Sequence, residues 1–157
     1  MPNNLAEFHR DTCRRLGPNV ALRFKKWGRY QDLSWSEYRR QADGAAAGLI
    51  ELGINPGDRV AIFSENRYEW LVADHAILSA AAVNVPLHAP LTAQQAAYQL
   101  EHSDARGIFV SNQAQADKVA AVLDLLPRRL VLYSISECAL GKHQAQSCES
   151  SDNRDGP

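Results

Sequence analysis

The run Gly57-Asp58-Arg59-Val60-Ala61-Ile62-Phe63-Ser64-Glu65-Asn66-Arg67-Tyr68-Glu69-Trp70 decides the architecture. Pro56-Gly57-Asp58 predicts a tight turn, and Arg59 to Ser64 behind it is a short apolar run with the length and branching of a buried strand. A helix is expected almost at once. Asn66 with Glu69 three residues on forms a capping pattern, and Trp70, Leu71, Ile77 and Leu78 recur at helical spacing toward Ala82.

The alternation continues outward in both directions. Upstream, Ser36 to Leu52 places Tyr38, Ala42, Ala45, Ala46, Leu49 and Ile50 on one helical stripe, opposite Arg39, Arg40 and Asp43. Ser34-Trp35-Ser36-Glu37 has capping-box spacing at its start, and Gly53 suits a left-handed cap at its end. Leu5 to Leu16 predicts a further helix, and Val20 to Phe24 with Tyr30 to Leu33 predicts two short strands around a turn at Gly28. Downstream, Val83-Asn84-Val85-Pro86 is expected to be a strand ended by its proline. Thr92 with Gln95 opens a helix carrying Ala93, Ala96, Ala97 and Leu100, and Gly107 to Val110 is another strand. Ala116, Val119, Ala120 and Leu123 mark a helix that stops at Pro127, and Arg129 to Tyr133 closes the series as a strand. Strands and helices taking turns at intervals of roughly 20 to 25 residues predict an α/β fold: a partial doubly wound, mostly parallel sheet with helices on both faces.

Residues 134–157 differ in character. They hold five serines, two of the chain's three cysteines and only Ile135 and Leu140 as large aliphatics. Such a segment buries too little to offset its ordering entropy and is expected to be a disordered tail. A sheet whose last strand leads into such a segment, with an open edge, is expected to be a truncated domain, with residues 1–133 its N-terminal part and 134–157 the disordered tail.

Composition narrows the function classes. The 157 residues are 45% hydrophobic and 22% charged, and 17 Lys plus Arg against 18 Asp plus Glu leave a net charge of −1. No global field draws the chain to nucleic acid, and the mostly apolar stretch from Ala76 to Val83 is far short of the roughly 20 residues a membrane span needs. Cys13, Cys138 and Cys148 are odd in number and at no metal-ligand spacing, so a soluble cytoplasmic chain in a reducing compartment is the expectation.

Candidate chemistry is sparse. Neither G-x-G-x-x-G nor G-x-x-x-x-G-K-[ST] occurs, so no glycine-rich phosphate cradle is expected. Asp74, His75 and Ser79 cannot form a relay, because adjacent helical residues point about 100° apart. His9 and Cys13 stand at i and i+4, a spacing able to present two metal ligands, but without a second pair they predict a surface histidine and a half-buried cysteine. Cys138, His143 and Cys148 likewise lack partners. Arg10, Arg14, Arg15, Arg23, Lys25, Lys26 and Arg29 against the single acid Asp11 form the one local charge asymmetry, read as a solvated helix face plus turn. His88, just beyond a strand end, is the best single candidate for a ligand contact, since open α/β sheets place ligands there.

The Gly57–Trp70 run also resembles the N-terminal region of adenylate-forming enzymes, and its Ser-Glu-Asn-Arg-x-Glu-Trp form is most similar to AMP-forming long-chain acyl-CoA synthetases. The resemblance extends through Val20-Ala21-Leu22-Arg23-Phe24, Leu33-Ser34-Trp35-Ser36-Glu37-Tyr38, Val85-Pro86-Leu87, Leu91-Thr92-Ala93-Gln94-Gln95 and His102-Ser103-Asp104-Ala105, covering residues 4 to 133. It implies ATP, magnesium and coenzyme A as cofactors of the full-length family, and a fatty acid as substrate of the complete enzyme. The family's Ser/Thr/Gly-rich phosphate loop with its lysine, its Tyr-Gly-x-Thr-Glu segment, its ribose-binding aspartate and its C-terminal lysine have no counterpart in this sequence. No catalytic, cofactor-binding or metal residue is therefore carried over, and the fragment is expected to bind no cofactor itself.

Two departures lie inside the resemblance: Ala80-Ala81-Ala82 stands where the family usually has a glycine, and His88-Ala89-Pro90 replaces an aromatic and Pro-Thr. The tail after Tyr133 follows no family pattern, as a frameshift or premature stop would produce. The expectation is an N-terminal fragment of a synthetase, inactive alone. A piece of a split enzyme completed by the missing remainder, and a non-enzymatic α/β interaction module, stand as alternatives.

Overall fold

The computed structural model describes residues 4–126 and 130–135. Four strands form one parallel sheet: β3 (Arg59–Ser64), β4 (Val83–His88), β5 (Ala105–Val110) and β6 (Val131–Ser134), in the order β4-β3-β5-β6. A separate antiparallel hairpin pairs β1 (Val20–Lys26) with β2 (Arg29–Ser34). The helices are α1 (Leu5–Leu16), α2 (Trp35–Glu51), α3 (Tyr68–Ser79), α4 (Ala93–His102) and α5 (Gln113–Ala120).

The residues of β3 explain why both faces are covered. Val60 and Ile62 join Ala45, Leu49, Ala73 and Ile77 of α2 and α3 in one apolar cluster, whereas Ala61 and Phe63 join Ala96, Leu100 and Val119 of α4 and α5 in another. Alternate side chains of a strand point to opposite faces, so a strand apolar at every position requires a helix layer on each side. Fully burying residues such as Ile62 or Phe63 contributes about 1.5–3 kcal/mol apiece, which makes β3 the centre of the fold. The hairpin lies outside this sandwich: Leu22, Phe24 and Leu33 pack with Tyr38 and Val72, and the Phe24 and Tyr68 rings stack at 4.0 Å. The α1 helix docks on α2 and α3.

Chain order fixes where the sheet reverses. From β3 the chain crosses by α3 to β4 on one side, then returns by α4 to β5 on the other side of β3 and continues by α5 to β6. The connections leaving β3 and β5 thus diverge, and the crevice between their C-terminal ends is the switch point of the sheet.

Several boundaries differ from the sequence expectation, each for a local reason. Asn66 is not the cap of α3: Arg67 occupies that position without a side-chain cap bond, and Glu69 is engaged by the Arg67 guanidinium instead. Pro86 does not end β4, which runs on to His88. Among the described residues β4 pairs with β3 alone, and an edge position of this kind tolerates a residue that lacks an N–H. The last helix is shorter than expected, stopping at Ala120 before a single 3-10 turn at Leu123–Leu125. At the far end β6 reaches Ser134, and Ile135 is fully buried with the α2–α3 cluster. Two residues assigned to the tail by composition therefore belong to the folded unit, and the rest of that segment, 136–157, lies outside the described residues.

Candidate functional site

The switch point carries a polar cluster built from three residues of two loops and one from the first turn of α5. Glu65 follows β3 directly, and Ser111 and Asn112 follow β5 directly; Asn112 then caps α5 by accepting from the Gln115 backbone N–H. The Ser111 hydroxyl donates to Glu65 Oε2 at 2.5 Å, Asn112 Nδ2 to Glu65 Oε1 at 3.2 Å, and Gln115 Nε2 to the same oxygen at 3.1 Å. These bonds, the Ser111 hydroxyl foremost, stabilise the charged carboxylate and hold the Glu65 pKa down at about 2. Ser111 and Gln115 are buried, so their donors have no water to fall back on.

The cluster reaches the neighbouring strand ends. Gln115 Nε2 also donates to the Ala89 carbonyl, and Lys118 Nζ donates to the carbonyls of Ala89 and Leu91, tying the loop after β4 to α5. On the other flank Arg67 donates from Nη1 to the Ser111 carbonyl while its Nε and Nη2 grip both oxygens of Glu69. Burial works against the Glu69 charge, but this bidentate pair carries its pKa below the ordinary range. A shallow groove of about 440 Å³ runs beside these residues, lined by Phe24, Lys25 and Lys26 of β1 and by residues 65–69.

Most residues singled out in the sequence lie elsewhere. His88 is at the C-terminal end of β4 with its side chain exposed, while its neighbour Ala89 contributes only a carbonyl to the rim. Asp74 accepts from Asn84 Nδ2, and His75 faces Tyr38, with Nδ1 2.6 Å from the phenol oxygen. His9 is not a surface histidine. It and Cys13 are both buried between α1, α2 and α3, with Cys13 Sγ 3.4 Å from His9 Nε2 and the His75 ring against His9. Nothing there approaches a metal-binding set: no group of three His, Cys, Asp or Glu among the described residues could hold an ion. Cys138, His143 and Cys148 lie outside the described residues. The basic run from Arg10 to Arg29 is partly neutralised, since Arg10 meets Asp43, Arg14 meets Asp11, and Arg23 meets Asp32.

Ser111, Asn112 and Gln115 were not foreseen as site residues. The signal was present: Asn112 and Gln115 have capping spacing directly behind a strand, at the end of the sheet where ligands collect. The described residues nevertheless do not fit an ATP–magnesium site. The one carboxylate at the switch point, Glu65, has its oxygens taken by neutral donors from the protein, and no glycine-rich loop supplies a row of backbone N–H groups. The cluster is built to hold β3 and β5 in register at the rim of the sheet.

An open, doubly wound parallel sheet with helices on both faces places the chain in the α/β class. Within that class, the chain belongs to the AMP-binding enzyme family, whose pattern matches residues 9–156 and so also takes in most of the segment set apart by composition. The long-chain-fatty-acid–CoA ligase FadD15 of Mycobacterium bovis is 40% identical over 100 residues, spanning 64% of this chain and 17% of that protein. The long-chain-fatty-acid–CoA ligase ACSBG2 of Xenopus laevis is 30% identical over 126 residues, or 80% of this chain and 17% of that one. The o-succinylbenzoate CoA synthetase of Bacillus subtilis, solved with its acyl-adenylate intermediate, superposes with a TM-score of 0.72 over 94% of this chain and 35% of its own, at 18% identity, which speaks to fold alone. The chain thus spans 17% of the length of either ligase. No helix among the described residues is long and apolar enough to cross a membrane.

Proposed function

We propose that this chain supplies the N-terminal scaffold of an AMP-forming long-chain acyl-CoA synthetase and has no adenylating activity alone. The complete enzyme would join a fatty acid carboxylate to the AMP portion of ATP with loss of pyrophosphate, then pass the acyl group to the thiol of coenzyme A. The observation that carries the reading is the saturation of Glu65: a carboxylate whose two oxygens accept from Ser111, Asn112 and Gln115 braces a strand end and has little capacity left for a metal–phosphate group. Similarity to the two ligases supports the substrate class.

ATP–pyrophosphate exchange with a long-chain fatty acid tests this directly. The purified chain is expected to give no exchange above background, and exchange is expected on mixing with a polypeptide that spans the remainder of a related ligase. Exchange by the chain alone would overturn the scaffold role.

A second reading, a non-enzymatic module that binds a protein partner along its sheet edge, is favoured by β6, which among the described residues pairs only with β5. A soluble monomer with one cooperative unfolding transition, and no gain of exchange on mixing, would select it.

A further inference from the structure

The hairpin tip carries a feature that the scaffold role leaves unused. Trp27 and Gly28 form a two-residue turn between Lys26 and Arg29, with φ of +49° and +77°. Two consecutive left-handed residues mark the hairpin turn that favours Asn-Gly or Asp-Gly, and a bulky side chain at the first position is strained there. Trp27 is also 86% exposed and Tyr30 73% exposed. A large aromatic held in an unfavourable backbone conformation, with almost all its surface in water, points to a purpose outside the fold.

The charges around it form no close salt bridge, although Lys26 lies within the field of Glu69 across the groove. Of the basic run from Arg10 to Arg29, the members nearest the hairpin end, Lys25, Lys26 and Arg29, make no ion pair among the described residues, and the Lys26 ammonium sits 4.7 Å from the centre of the Trp27 ring. We propose that this tip, with Trp27 at its apex, Tyr30 behind it and the Lys25, Lys26 and Arg29 cations around it, is a peripheral docking site for an anionic lipid surface. An indole prefers the headgroup level of a bilayer, and lysines on flexible stems can stay at the phosphate plane as the ring enters. Charge separates this from nucleic acid. The groove beside Lys25 and Lys26 is lined on its other side by Glu65 and Glu69, whose carboxylates repel a run of phosphates, and the chain's net charge of −1 adds no long-range attraction.

The test is flotation of the whole chain with phosphatidylcholine vesicles containing or lacking phosphatidylglycerol, together with quenching of its tryptophans by brominated lipid. Binding is expected to the anionic vesicles only and to weaken with salt. Replacing Lys25 and Lys26 together by Gln should lower partitioning roughly 25-fold, at about fivefold per cation. Trp27→Asn separates docking from folding, because Asn accepts the left-handed turn. It should raise the thermal midpoint while lowering vesicle binding about tenfold and abolishing the quenching. Failure of the parent chain to float with anionic vesicles at low salt, undiminished binding by Trp27→Asn, or binding of an oligothymidylate in place of vesicles would each overturn the proposal. None of these readouts needs ATP, so a failed adenylation assay leaves the result standing.

Discussion

The imidazole rings of His9 and His75 lie 3.8 Å apart, closing α1 onto α3. Burial, with the neighbouring His75 and against the pull of Asp43, lowers the His9 pKa to about 4. The sign follows from linkage: the unfolded chain binds a proton near pH 6.5 that the folded chain refuses until about pH 4, so stability falls as pH drops through that window. By pH 5 the loss should reach roughly 2 kcal/mol, reported first by α1. Urea unfolding between pH 7.5 and pH 5, where carboxylates contribute little, is expected to show this slope in the parent and a flatter one in His9→Phe, which keeps an aromatic ring in place. Equal slopes would show that His9 does not titrate in this way.

Glu65 sets a second, lower window. Its pKa of about 2 lies below the ordinary carboxylate value of 4.5, so its contribution is present above that value and is lost as pH falls toward 2. At neutral pH, Glu65→Ala strands the donors of buried Ser111 and Gln115 and should cost about 2 kcal/mol. Ser111→Ala should cost less, since it removes donor and demand together. A double-mutant cycle by chemical denaturation is expected to show coupling between the two positions; simple additivity would remove Glu65 from the role of brace.

Gly107 reports on the join between β5 and β6. A Cβ there would meet Cε2 of Tyr133 at 3.1 Å and the side chains of Ile54 and Val60 at 3.5 Å. The Tyr133 ring also packs on Phe109 at 5.0 Å, so it cannot withdraw without giving up contact. Gly107→Ala is expected to destabilise by about 1–2 kcal/mol. The same change in a Tyr133→Leu background should cost distinctly less; equal costs would place the clash elsewhere.

These tests fall on contacts that the sequence revealed unevenly. The continuous apolar run Val60 to Phe63 was legible as a buried strand, and the turn-taking of strands and helices along the chain was enough to expect helices on both faces of the sheet. Helix α1 was legible to its last residue, its cap Asn4 and its end at Gly17 being local signals. The site was less legible because its contacts are long-range: Glu65 meets Gln115 fifty positions away, and His9 meets His75, neither of which a local window can pair. The Asn66–Glu69 pattern misled for a related reason. A bidentate guanidinium from Arg67 outcompetes a single backbone N–H for the Glu69 carboxylate.

Helices α2 and α3 end in the same manner and α4 is also followed by a left-handed residue, yet only one of these three residues is the glycine the geometry asks for. After α2, Gly53 takes φ +88° while its N–H bonds the Ile50 carbonyl and the next N–H bonds that of Leu49. After α3, Ala81 takes φ +57° with the equivalent bonds to Leu78 and Ile77, and after α4, Asp104 takes φ +51°. This is the Schellman ending, in which the left-handed residue costs an alanine roughly 1 kcal/mol relative to glycine. Ala81 is the middle residue of Ala80-Ala81-Ala82, and, unlike its two neighbours, its exposed side chain makes no core contact to offset that cost. Ala81→Gly should therefore stabilise the fold by about 1 kcal/mol, and Gly53→Ala should destabilise it by a similar amount. Both are measurable as shifts of the urea midpoint at constant slope. The Ala81 carbonyl accepts from the Gly57 N–H at the turn into β3, so the relief acts at the entrance to the central strand. A midpoint unmoved by Ala81→Gly would mean that the strain is relaxed in solution by a different helix end.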